Sequence, residues 1–190
     1  EIMKNLFLSL AFLTTLNATA QTRPEPLSEA KPAARWWWLG SAVDKENLSY
    51  NIAEYAKAGI GELEITPIYG VQDNEANDIP FLSEKWMEMY KHTVAEGARH
   101  GVKIDLNTGT GWPFGGPDVT ENQAAAKAIF EEKDGKLTLQ VGRTNQKVKR
   151  AAPGGEGLVM DHFDREAVTH YFQKFDEAFA QSGAPAPNTF

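Results

Sequence analysis

The sequence has 190 residues, 42% hydrophobic and 24% charged, with 26 acidic against 19 basic side chains and no cysteine. These proportions suit a soluble globular chain and exclude a disordered tail, a collagen or a coiled coil. The absence of cysteine excludes disulfides, thiolate-held metals and thiol catalysis, and a net charge of −7 argues against a nucleic-acid partner. The basic cluster Lys147, Lys149 and Arg150 reads as a solvated strand.

Residues 1–20 read as a signal peptide. Lys4 gives a positive start, Leu6–Leu13 a short apolar core, and Ala18-Thr19-Ala20 a small-x-small cleavage pattern. The apolar run is far shorter than the about 20 residues that span a bilayer. The expectation is therefore export to the periplasm or medium, with cleavage after Ala20 and no membrane span. Residues 21–34 carry three prolines and no apolar periodicity, and read as an extended lead-in.

From residue 35 short apolar runs alternate with amphipathic stretches. Arg35–Leu39 is a strand-like run. Asp44 caps a helix with Leu48, Ile52, Tyr55 and Ala56 on one face, ended by Gly59. Ile60–Ile68 is a second strand. After an Asn- and Asp-rich loop, Ser83 caps a helix that buries Trp86, Tyr90 and Val94 and stops at Gly101. Val102–Thr108 is a third strand, and Gly157–Phe163 a candidate fourth, followed by a helix capped by Asp164 with Val168, Tyr171, Phe172, Phe175 and Phe179 on its face. Strand–helix units at this spacing predict a parallel α/β architecture. Between them, Asp134-Gly135 marks a β-hairpin over about 124–141, although Thr120 and Gln123 also fit a capping box.

The strands carry chemistry on one parity. Glu62 and Glu64 alternate with Leu63 and Ile65, and Asp105 and Asn107 with Ile104 and Leu106. Where helices cover one face of a sheet, the aliphatic parity meets them and the polar parity lines the other side. Carboxylates and amides held there are suited to sugar hydroxyls. Aromatic rings suit the apolar C–H faces of sugars, and Trp112, set among glycines and prolines, is a candidate wall. Trp37 reads as core. A structural ion pair between Arg35 or Lys103 and one of these carboxylates is the competing account. The glycine-rich run at 109–117 lacks the Lys-Ser/Thr ending of a phosphate loop. Asp161, His162 and Asp164 have ligand-like spacing, but Asp164 is better placed as a helix cap. No Ser-His-Asp arrangement is apparent.

Four stretches together resemble a known family: Arg35-Trp36-Trp37-Trp38, Ala58–Gly70, Thr108-Gly109-Thr110-Gly111-Trp112-Pro113-Phe114-Gly115-Gly116-Pro117 and Ala151–Gly157. In this order they are similar to the N-terminal region of glycoside hydrolase family 106, the α-L-rhamnosidases and their relatives. The resemblance implies an exported enzyme with a catalytic (β/α)8 TIM-type barrel, calcium-assisted hydrolysis of rhamnosides with inversion, and a catalytic carboxylate pair beyond residue 190. A whole barrel takes about 250 residues, so residues 35–190 are expected to form an incomplete barrel: three to four β/α units with a small β-hairpin insertion, completed by a downstream chain. The expected contributors to substrate or calcium binding are Glu64, Asp105, Asn107, Trp112, Asp161 and His162. Glu64 and Glu156 are the glutamates to test for catalysis, and Glu156 also fits a structural turn. The alternatives are a non-catalytic carbohydrate- or partner-binding protein, or an inactive truncated product.

Overall fold

The computed structural model describes residues 27–190. The expected signal peptide and the start of the lead-in lie outside the described residues. Three parallel strands, β1 (Ala33–Leu39), β2 (Glu62–Ile68) and β3 (Lys103–Leu106), form a sheet in the order β1-β2-β3. Helices α1 (Lys45–Lys57) and α2 (Glu84–His100) make the crossovers. Each helix starts where a side chain replaces a missing backbone acceptor: Asp44 accepts from Asn47 N at 2.9 Å and Ser83 from Trp86 N at 3.3 Å. Helix α2 stops at Gly101, whose φ of +69° is strained for a residue with a Cβ.

Period-two alternation decides the layers. Trp36, Trp38, Leu63, Ile65, Ile104 and Leu106 share the face covered by helices and are buried with Leu48 and Ile52 of α1 and Trp86 and Tyr90 of α2. Trp86 and Tyr90, one helical turn apart, stack at 5.9 Å. The Trp86 indole N–H donates to Ser41 Oγ at 3.0 Å, so this buried polar group is satisfied. Helix α3 (Arg165–Ser182), capped by Asp164, adds Tyr171 and Phe175; Phe175 meets Phe81 at 5.8 Å. Trp37 lies on the opposite face and is 46% exposed, which corrects the expectation that it is core. Its parity overrides its hydrophobicity.

The expected fourth strand is shorter and pairs differently. Only β7 (Leu158–Val159) forms, antiparallel to β4 (Gly115–Gly116). Glycine permits that pairing: a Cβ on Gly115 would sit 2.1 Å from Leu158 O. The edge of β3 is met instead by residues after α3. Asn188 N donates to Ile104 O at 2.8 Å and Leu106 N to Thr189 O at 3.0 Å, so this segment runs in the same direction as β3. The hairpin forms as β5 (Ala126–Lys133) and β6 (Lys136–Arg143), turning at Asp134 and Gly135 with positive φ at both. The Thr120–Gln123 contact forms too, on a single 3-10 turn, with Gln123 Oε1 accepting from Thr120 N at 3.3 Å. The chain is thus mixed α/β.

Trp86→Ala should cost about 3–5 kcal/mol because it removes a fully buried ring. Tyr50→Ala, at a site 64% exposed, should stay within about 0.5 kcal/mol of wild type. Urea denaturation measures both.

Candidate functional site

The helix-free face of the sheet carries a polar row. Arg35, Glu64 and Asp105 are register partners across the three strands. Arg35 Nε donates to Glu64 Oε2 at 2.7 Å and Nη2 reaches Oε1 at 3.5 Å. The side chains are 48% and 31% exposed, so the pair contributes below about 1 kcal/mol to stability. Its main effect is to aim the Glu64 carboxylate. Asp105 Oδ1 accepts from Asn188 Nδ2 at 3.0 Å. Glu62 stands one register step below, beside Lys103. The closeness of the Asp105 carboxyl, with some burial, raises the Glu62 carboxyl above the usual glutamate range, against the pull of Lys103.

These groups wall a cleft of about 480 Å3, lined by Arg35, Trp37, Glu62, Glu64 and Asp105, with Thr189 and Phe190 at one end. Trp112, carried over the sheet by the loop after β3, packs edge-on against Trp37 at 5.6 Å, and the Arg35 guanidinium lies 5.7 Å from its ring centre. Arg35 therefore touches both the carboxylate and the aromatic part of the site. The Trp112 backbone is fixed by two hydrogen bonds with Lys149, at 2.9 and 2.8 Å.

Of the residues expected from sequence, Glu64 and Asp105 meet in this cleft and Trp112 borders it. Asn107 is buried just past β3, where its side chain donates to Gly109 O at 3.4 Å. Asp161 and His162 are not among the cleft-lining residues. Asp161 is buried and accepts from Arg143 Nη1 at 2.6 Å and from Phe163 N at 3.0 Å, which ties the base of the hairpin to the start of α3. His162 is exposed, its ring 6.2 Å from Phe114. Asp164 caps α3 and Glu156 closes a turn onto Gly154 N at 2.9 Å. Calcium takes six to eight oxygens. Among the described residues no three His, Cys, Asp or Glu side chains converge on one point, and Asp161 already faces a guanidinium. The described donors do not fit that ion.

Sequence reasoning missed Trp37 as a site residue, and it placed Glu62 on the polar parity without counting it among the expected contributors, although both share the parity of Glu64. It also missed Asp78, whose carboxylate packs against Gly40 and Gly70 beyond the ends of β1 and β2, with Oδ1 buried and without a hydrogen-bond partner. The glycines that follow both strands are the signal for that close approach. A larger cleft of about 720 Å3 lies on the helical side, lined by residues of α1, α2 and α3. Its lysines are held internally, Lys45 by Glu88 at 2.7 Å and Lys91 by Ser182 O at 2.7 Å. There Ser49 Oγ lies 2.8 Å and Lys45 O 3.0 Å from His92 Nε2. A nitrogen facing a carbonyl must carry the proton, so it is not a base for Ser49. Among the described residues no helix is long and apolar enough to cross a membrane.

A mixed α/β chain with carboxylates and indoles on its open sheet face has the side chains that suit sugars. A family model for the α-L-rhamnosidases, glycoside hydrolase family 106, matches residues 24–136, and the chain belongs to that family. A protein of Formosa agariphila that carries the provisional name beta-glucuronidase is 25% identical over 109 residues, 56% of this chain and 9% of that protein. A solved rhamnosidase from Novosphingobium sp. PP1Y is 20% identical with a TM-score of 0.46, over 56% of this chain and 10% of that one. The matched region thus spans about a tenth of the length of either relative.

Glu62 holds its proton more tightly folded than unfolded. The folded state therefore binds extra proton between the ordinary value of 4.5 and the raised one. Stability from this group is full below that window and falls as pH rises through it. Between about pH 4 and pH 7 the melting temperature of Glu62→Gln should fall less than that of wild type; parallel curves would contradict the raised value.

Proposed function

We propose that this chain supplies the first strands of a β/α barrel in an exported glycoside hydrolase, and that its polar sheet face receives a rhamnose-type sugar. Family membership supports the substrate class. The observation that carries the reading is the placement of Glu64, Asp105 and Trp37 in one cleft, with Trp112 packed on Trp37. The strand–helix alternation supports the barrel, as does the run of Asn188 and Thr189 along β3. The greater length of the relatives supports closure by further strands of a longer polypeptide. Export rests on Lys4, Leu6–Leu13 and the Ala18-Thr19-Ala20 pattern.

In this reading the chain binds and orients. The Glu64 carboxylate, aimed by Arg35, accepts from sugar hydroxyls, while the indoles of Trp37 and Trp112 cover an apolar ring face. Inversion needs two carboxyl groups about 6.5–9.5 Å apart, so that a water fits between them. We assign the acid and base to the remainder of the polypeptide, where the family resemblance puts the carboxylate pair. Calcium assistance, where it operates, draws its oxygens from there as well.

Titration calorimetry with methyl α-L-rhamnoside tests the reading. Wild type should bind saturably, and Trp112→Ala should weaken binding about tenfold, the equivalent of about 1.4 kcal/mol. Unchanged affinity in Trp112→Ala would remove the aromatic wall from the account.

A further inference from the structure

The basic cluster Lys147, Lys149 and Arg150 is not absorbed by the sugar cleft, and the structure gives it a definite place. Val148 is buried while Lys147, Lys149 and Arg150 are exposed, the alternation of an extended strand. Lys147 forms an antiparallel bridge with Leu158 and Lys149 one with Trp112. Arg150 then turns at φ +61°. Its carbonyl accepts from Tyr69 N at 3.0 Å, its Nη1 donates to Tyr69 Oη at 3.1 Å, and its guanidinium lies 5.5 Å from the Tyr69 ring centre. Tyr69 immediately follows β2, at the carboxyl end of the sheet, and is 45% exposed.

Two further features fix this geometry. Gly111 has φ +60°, and a Cβ there would sit 2.0 Å from Lys149 O and 2.7 Å from Arg150 C. Only glycine lets the basic strand approach the Trp112 loop so closely. Among the described residues none of the three cations forms an ion pair with a carboxylate. In a chain with seven more acidic than basic side chains, exposed unpaired cations on a segment whose backbone is bonded to the Trp112 loop, with the Arg150 guanidinium held on Tyr69, are a place for an anion. The planar guanidinium already gives one N–H to Tyr69 and keeps the rest of its fork for two oxygens.

We propose that Lys147, Lys149 and Arg150, with Tyr69, form a subsite for an anionic substituent, a carboxylate or a sulfate ester, on the saccharide that the Trp37–Trp112 wall receives. The inference rests on the proposed sugar cleft and adds a charge preference to it. Carboxylate and sulfate present the same chemistry to the guanidinium, an oxygen pair with a negative charge, and matched probes separate them.

The test compares methyl β-glucuronide with methyl β-glucoside, and methyl β-galactoside 6-sulfate with methyl β-galactoside, read by tryptophan fluorescence on the 190-residue chain. At least one charged probe should bind about tenfold more tightly than its neutral partner at low salt. High salt should close the gap, and Arg150→Gln and Lys149→Gln should each narrow it. Arg150→Gln should leave methyl α-L-rhamnoside binding unchanged, because it alters a side chain outside the cleft. Equal affinities within both pairs, or a gap that survives Arg150→Gln, Lys149→Gln and salt, would overturn the subsite. Failure of wild type to bind methyl α-L-rhamnoside would overturn the sugar cleft, whereas the charged–neutral comparison alone decides the basic strand.

Discussion

The structure depends on a parity constraint. Alternate residues of a strand point to opposite faces, and the in-register pairing of β1, β2 and β3 extends that division across the sheet. One parity supplies Trp36, Trp38, Leu63, Ile65, Ile104 and Leu106 to the helices. The other presents Arg35, Trp37, Glu62, Glu64 and Asp105 to the open side. A slip of one residue in β2 would bury Glu62 and Glu64 against α1 and α2, where an unpaired carboxylate costs several kcal/mol. The register that builds the core therefore also builds the cleft.

On the open side, Arg35 connects the polar and aromatic parts. Its guanidinium is shared between Glu64 and the ring of Trp112, which in turn packs on Trp37. The loop that carries Trp112 is held from beyond by Lys149, the residue next to Arg150. The aromatic wall and the basic strand are thereby mechanically joined through hydrogen-bonded backbone. Arg143 plays a comparable part at the base of the hairpin, where it draws Asp161 and the Ala124 carbonyl together.

Local chemistry made much of this legible. The caps Asp44, Ser83 and Asp164 and the stops at Gly59, Gly101 and Gly183 follow from hydrogen-bonding and steric rules that act within a few residues. The Asp134-Gly135 turn is equally local. The polar parity of Glu64 and Asp105 was readable because alternation is a property of one strand. Pairing partners are not local, so Gly157–Phe163 looked like a parallel strand although β7 pairs back onto Gly115–Gly116. Trp37 was misjudged for the same reason: among three consecutive tryptophans, only the location of the helices tells which parity is buried. Asp161 has ligand-like spacing with His162 and Asp164, but Arg143, 18 residues earlier, claims its charge.

The central claim is that the open sheet face, and not the helical side, meets the sugar. The five tryptophans of the chain divide cleanly on this point: Trp37 and Trp112 belong to the open face, Trp36, Trp38 and Trp86 to the core. Indole N–H resonances, followed by NMR while methyl α-L-rhamnoside is added, report on each separately. The account predicts saturable shifts of Trp37 and Trp112 with the other three unmoved. Shifts confined to Trp36, Trp38 or Trp86, or no shift at all up to high sugar concentration, would contradict it.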